Sequence, residues 1–218
     1  MNPIKTTIKT EIIPILIIIL SIILGGYFYA NFPDQVPAHW NIEGEVDGYT
    51  SKIVSAVMMP AIMIGLYVMF WALPYIDPKK DRYKQFSKTY QLFRTMIIIF
   101  LFVIYILTGL FALGYPINIG MAIPMLVGLM FVVMGNYMNK IKNNWFMGIR
   151  TPWTLSSENV WNKTHRLSGK LFMLVGIVMM SMPFLPENIG IALLITSVVL
   201  LTLGSTVYSY YLYTKEKK

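Results

Sequence analysis

Cysteine is absent from the 218 residues, which excludes disulfides, thiolate nucleophiles and Cys-ligated zinc. Charge is scarce as well. Charged residues make up 13% of the chain, against roughly 25% in ordinary soluble domains. The shortage is uneven: no Asp, Glu, Lys, Arg or His occurs from Thr95 to Asn139, or from Asn188 to Thr214. Apolar runs of about 18 residues or more are candidates to span a bilayer, and a soluble fold built from them would expose far too much apolar surface. There is no Gly-rich phosphate loop and no His-Glu-x-x-His helix, so two common catalytic signatures are missing. No ionisable residue falls in the middle of a predicted span, where proton- and ion-coupled transporters usually keep one.

What is present is apolar. Hydrophobic residues make up 56% of the chain and the mean hydropathy is +0.60. The runs predict an all-α polytopic membrane protein with six transmembrane helices, in a single integral membrane domain covering 1–218. The spans are expected at about 12–30, 53–73, 95–113, 119–137, 169–185 and 188–210. The first follows Lys5, Lys9 and Glu11. Its apolar part is too long for a signal peptide and no small-x-small site follows, so it reads as an uncleaved helix. Pro14 is expected in its first turn, where a proline is tolerated. Gly25 and Gly26 permit close approach by a neighbour. Pro60, inside the second span, frees a backbone carbonyl and is expected to kink the helix.

Six spans place both termini on one side, and charge selects the side. Of the eighteen Lys and Arg, only Lys52 lies in the first, third or fifth loop. Both termini and the second and fourth loops are therefore expected in the cytoplasm of a multi-pass protein. The same rule accounts for the net charge of +8 without invoking nucleic acid. Trp71, Trp145, Tyr27, Tyr29 and Tyr137 sit near span ends, as interfacial aromatics do.

Two loops carry enough side-chain chemistry to be sites. The outer one runs Pro37-Ala38-His39-Trp40-Asn41-Ile42-Glu43-Gly44-Glu45-Val46-Asp47-Gly48-Tyr49. Extended runs around Ile42 and Val46, a Glu-Gly-Glu turn and the Asp47-Gly48 pair predict a short hairpin-like cap. Its readings are a docking surface with His39 and Trp40 as anchors, aromatics resting on the lipid interface, or a divalent-ion site of His39, Glu43 and Asp47. One histidine and no repeated ligand spacing weigh against the metal, and no cofactor is expected.

The inner stretch, 143–166, holds Trp145, Trp153 and Trp161, three of the five tryptophans. Arg150-Thr151-Pro152-Trp153 reads as a turn, since the residue before proline avoids the α region. Ser156 reads as a helix N-cap with Glu158 in the first turn. Val160, Trp161, Thr164, Ser168 and Leu171 recur on one face of an amphipathic helix, lying on the membrane or running into the fifth span. Arg150, Thr151, Pro152, Trp153, Trp161, His165 and Arg166 are the candidates for a cytoplasmic recognition surface. The other reading is an interfacial anchor, with Lys163 and Arg166 on lipid phosphates.

Both segments resemble the SdpI-type membrane proteins of bacteria. The outer loop follows the pattern Pro-x-His-Trp-Asn-x-x-Gly-x-x-Asp-Gly-Tyr. Gly148-Ile149-Arg150-Thr151-Pro152-Trp153-Thr154-Leu155, then Val160-Trp161 and His165-Arg166, follow the second and more specific pattern. The resemblance implies a bacterial cell-membrane protein, not an enzyme. It implies immunity to a secreted, membrane-active, hydrophobic killing peptide met on the outside by His39, Trp40, Asn41, Gly44, Asp47, Gly48 and Tyr49. It further implies signalling through a small winged-helix repressor held at the membrane, with no direct nucleic-acid binding by this chain. The rival readings are a small-solute transporter or channel and a metal-dependent membrane enzyme.

Overall fold

The computed structural model describes residues 3, 4, 6–41 and 43–217. Helix α1 (Ile8–Asn31) is followed by a hairpin of β1 (Gln35–Trp40) and β2 (Val46–Ser51). Then come α2 (Lys52–Ile76), α3 (Tyr83–Ala112), α4 (Ile119–Met138), the short α5 (Pro152–Ser156), α6 (Glu158–Ser181) and α7 (Glu187–Glu216). Six of these helical segments are long and apolar enough to cross a membrane. The chain is a six-helix, multi-pass membrane protein.

Several expected boundaries move. The third helix starts at Tyr83 rather than near 95, so most of the expected basic loop, including Lys84, Lys88 and Arg94, is helical. No glycine or proline interrupts that stretch, and long basic side chains can lie along a helix with their charged ends turned to the interface. The chain bends at Phe86 (φ −131°, ψ 25°) instead of ending there. The amphipathic stretch is not a separate surface helix either. It is the first half of α6 and runs directly into the fifth span.

Contacts divide the chain into two compact units. One comprises residues 6–71 and 94–123: α1, the hairpin, most of α2, the later part of α3 and the first residues of α4. Its core joins Phe28, Phe32, Val36 and Tyr105 in one cluster and Ile18, Met63 and Ile98 in another. Prolines set its polar contacts. Pro14 lies well inside α1, because the helix begins four residues before the expected span. A proline has no N–H for the carbonyl four residues earlier, which here is Thr10. Arg94 of α3 donates its guanidinium to that carbonyl at 3.2 Å and to the Glu11 carboxylate at 2.8 Å. Arg94 is 2% exposed, and Tyr67 of α2 closes the group by donating to Glu11 at 2.6 Å.

Pro60 leaves the Ala56 carbonyl free in the same way, and Tyr105 of α3 donates to it at 2.7 Å. A Cβ on Gly25 would stand 2.7 Å from that carbonyl and 3.2 Å from the Tyr105 hydroxyl. Glycine is what lets α1 close on the break. Thus α3 supplies a donor to each of these two carbonyls. Inside a bilayer no water can do so.

The other unit comprises residues 1–5, 72–93 and 124–218. Here α4 and α6 run antiparallel in close contact. Gly128 faces Gly176 and Gly135 faces Gly169, in each case one glycine against the other's carbonyl. Small residues one heptad apart bring the two backbones together. On α7, Ser205 bonds Ser168 of α6 at 2.7 Å.

The proline account predicts a coupling. Tyr105→Phe should lower stability in detergent by about 1–3 kcal/mol, the cost of an unpaired buried carbonyl. In a Pro60→Ala background the same change should cost much less, because the restored amide N–H takes over the carbonyl. Equal losses in both backgrounds, read by thermal unfolding, would contradict it.

Candidate functional site

The outer motif is a hairpin whose residues mostly build the hairpin. β1 and β2 pair antiparallel, with Pro37 opposite Tyr49, His39 opposite Gly48 and Trp40 opposite Val46. The register slips around His39, as at a β-bulge. The expected extended run around Ile42 gives way to the turn, and Ile42 itself lies outside the described residues. Asn41 closes that turn: its N–H donates to the Glu45 carbonyl, its carbonyl accepts from Gly44, and its Oδ1 accepts from Glu45 N–H at 2.8 Å. Gly44 has φ +81°, a conformation that favours glycine, and its Cα lies against Gly120 at the start of α4. A Cβ at Gly48 would meet the His39 Cβ at 2.9 Å. Trp40 packs edge-on against Phe111, with ring centres 5.5 Å apart.

The remaining residues face outward. His39 Nδ1 and Asp47 Oδ1 are 2.5 Å apart, with side chains 72% and 45% exposed. Tyr49 is 60% exposed. Glu43 does not join His39 and Asp47, and no group of three metal-ligating side chains occurs among the described residues.

The inner motif is a folded loop stitched by side chains onto backbone. Asn144 is fully buried. Its Oδ1 accepts from the N–H groups of Phe146 (2.8 Å) and Met147 (2.7 Å), and its Nδ2 donates to the carbonyls of Lys142 and Met147. Buried Asp77 accepts from Lys79 N–H, Trp145 N–H and the Tyr83 hydroxyl. Asn143 accepts from the Lys79 ammonium and donates to the Thr154 carbonyl. Thr151 caps α5 with Pro152 in its first turn, as the residue types favour. The Thr151 hydroxyl also meets Ser209 of α7 at 3.0 Å, and Thr154 donates to the Ile149 carbonyl at 2.8 Å.

Trp161 and His165 are 0% exposed. Their rings stack at 4.0 Å, and Trp161 Nε1 donates to the Ile141 carbonyl at 2.8 Å. His165 Nε2 accepts from Ile149 N–H at 3.0 Å, and its Nδ1 lies 2.8 Å from the Trp161 carbonyl. A carbonyl only accepts and an amide N–H only donates. The imidazole is therefore neutral with its proton on Nδ1. Gly148, at φ +109°, has the His165 ring where a side chain would stand.

Of the expected inner surface, Trp161 and His165 are thus core, and Thr151 is 9% exposed. Arg150, Pro152 and Arg166 are exposed, and Trp153 is half-buried against Tyr210, with ring centres 5.0 Å apart. Trp161 and His165 lie on the apolar face of α6 with Val160, Thr164 and Ser168, and that periodicity was the signal for burial. The N-cap of α6 is Ser157, not Ser156: its Oγ accepts from Val160 N–H at 3.2 Å. Ser156 instead ends α5, donating to the Pro152 carbonyl. Glu158 pairs with Arg82 at 2.7 Å. Sequence reasoning missed Asp77, Asn143 and Asn144. The adjacent Asn143 and Asn144 at the start of the Trp-rich loop were the available signal; the burial of Asp77 was not legible.

Residues 140–209, which contain the inner motif, match the profile described as the SdpI/YfhL protein family. Residues 16–64, containing the outer motif, match a second profile, described as a domain of unknown function (DUF1648). Over 207 residues the SdpI-like chain is 29% identical to the immunity protein SdpI of Bacillus subtilis (strain 168), covering 95% of this chain and 97% of that protein. The family resemblance read in the two motifs is borne out. No solved structure matches the chain significantly.

The loop geometry predicts that His165→Ala, which leaves Ile149 N–H unpaired and a void beside Trp161, lowers stability by about 2–4 kcal/mol. Arg166→Ala, one residue on but exposed, should change it by less than about 0.5 kcal/mol. Thermal unfolding of the two variants in the same detergent checks both, and similar melting points would contradict the assignment.

Proposed function

We propose that this chain is a non-enzymatic immunity protein that protects its cell from a secreted, membrane-active killing peptide. The similarity to an immunity protein along nearly the whole of both chains carries the reading. The positive-inside rule gives the arrangement: both termini and the inner motif in the cytoplasm, the hairpin outside. The His39–Asp47 pair and Tyr49 then form the hairpin's outward face, available to a peptide arriving from outside.

On the cytoplasmic side, exposed Arg150, Pro152 and Arg166, with half-buried Trp153, are what remains for a protein partner such as a winged-helix repressor. Peptide binding alters that surface only if the peptide prefers one conformation of the helices. A transport reading needs an intramembrane charge free to change partners. The buried Arg94 instead holds Glu11 and the Thr10 carbonyl together, with Tyr67 on Glu11, which suits a clamp better than a relay.

Expression in a sensitive bacterium should raise survival under a secreted, membrane-active killing peptide. His39→Ala and Tyr49→Ala should lower it again at an unchanged level of protein in the membrane. Survival unaltered by the wild-type chain, present in the membrane, would overturn the immunity reading.

A further inference from the structure

Beneath the hairpin lies a cavity of ≈ 250 Å³ whose walls include Phe32, Val36, Trp40, Met59, Tyr105 and Ile119. The walls are largely apolar. One polar atom stands out: Trp40 Nε1 is buried and has no acceptor among the described residues. A buried N–H without an acceptor is costly and Trp40 lines the cavity, so an occupant whose acceptor reaches that nitrogen as it seats is favoured over a purely hydrocarbon one. Trp40 is held in place independently, by its strand pairing with Val46 and by Phe111.

The hairpin above is acidic. Asp34 is paired with Lys52 and Asp47 with His39. Glu43 and Glu45 are exposed and form no ion pair among the described residues. They flank Gly44, which rests on Gly120 at the start of α4, and Ile119 and Ile123 of the same helix line the cavity. The carboxylates thus stand on the element that covers it.

We infer that this cavity is the anchor site for a cationic, apolar peptide. An aliphatic or aromatic side chain of the peptide enters beside Trp40, and a main-chain carbonyl accepts from Trp40 Nε1. A Lys, Arg or amino-terminal charge stands against Glu43 and Glu45. A phospholipid supplies the apolar body, but an anionic headgroup is repelled by the same carboxylates, and a zwitterionic one brings its phosphate along with its cation. The inference rests on the immunity reading for what the peptide is for, and on the cavity alone for its chemistry.

The test uses the full chain in neutral-lipid nanodiscs and a random heptapeptide display library. Selected peptides should combine Lys or Arg with aliphatic or aromatic residues. The best of them, synthesised with a fluorophore, is then titrated by polarisation. Trp40→Phe keeps an aromatic six-membered ring but removes the indole N–H with its pyrrole ring, and should weaken binding at least about fivefold, the worth of the neutral hydrogen bond alone. Ser55→Leu, which fills the cavity wall, should abolish binding. Glu43→Gln with Glu45→Gln should weaken binding and flatten its salt dependence.

Tyr115→Ala, outside the cavity, should leave binding unchanged. Should Ser55→Leu fail to fold, Trp40→Phe and the double Gln variant carry the test. Selection of acidic or uncharged peptides or of none, or binding indifferent to Trp40→Phe and Ser55→Leu, overturns the site. So does native mass spectrometry showing a phospholipid in the wild type that Ser55→Leu expels. Survival assays on the same variants separate the two ideas. Peptide binding that follows the cavity, in a chain that gives no protection, removes the immunity role and leaves the site. Protection untouched by Ser55→Leu removes the site and leaves the role.

Discussion

Every backbone N–H and C=O that leaves the regular helical ladder must find a partner within the protein, because neither the bilayer core nor a packed interior supplies water. Most of the unusual residues in this chain answer that constraint. Pro14 and Pro60 each release a carbonyl, and Arg94 and Tyr105 of α3 take them. The hairpin turn is closed by Asn41. The inner loop is closed by Asp77, Asn143, Asn144, Thr154 and His165. The glycines complete the arrangement: Gly25 makes room for the Tyr105 contact, Gly44 and Gly148 take φ values that favour glycine, and Gly148 gives way to the His165 ring.

This explains why the two motifs are long while their outward chemistry is sparse. Motif residues divide into those that hold backbone and those left over. On the hairpin the remainder is His39, Glu43, Glu45, Asp47 and Tyr49; on the inner loop it is Arg150, Pro152 and Arg166, with Trp153 half-covered. The proposed contacts at the exposed faces fall to that remainder. The buried members set its position: the Trp161–His165 stack holds Ile149, the residue before Arg150.

Much of the architecture was legible because apolar length and charge scarcity are read directly from composition. Six spans, the hairpin and the burial-compatible face of α6 follow from periodicity and turn chemistry. Helix starts were less legible, since lysines tolerated along a helix look like a loop: α3 begins at Tyr83 although its first three turns are basic. The Arg94–Glu11 pair was hidden for the same reason. Each residue reads as a charge flanking a span until the helices bring them together. The site residues were picked by type, and type does not distinguish a tryptophan that donates inward, such as Trp161, from one that faces out. The partners of Asn144 and His165 are backbone groups, which leave no trace in side-chain spacing.

An alanine series through both motifs, scored in each variant for folded protein in the membrane and for survival under the killing peptide, tests the division most directly. Variants at Asn41, Asn144, Thr154, Trp161 and His165 should lose folded protein, and protection should fall only in proportion. Variants at His39 and Tyr49 should keep wild-type levels of folded protein and lose protection. If the buried set stayed fully folded yet unprotective, or the exposed set protected as well as the wild type, the division between scaffold and contact would be wrong.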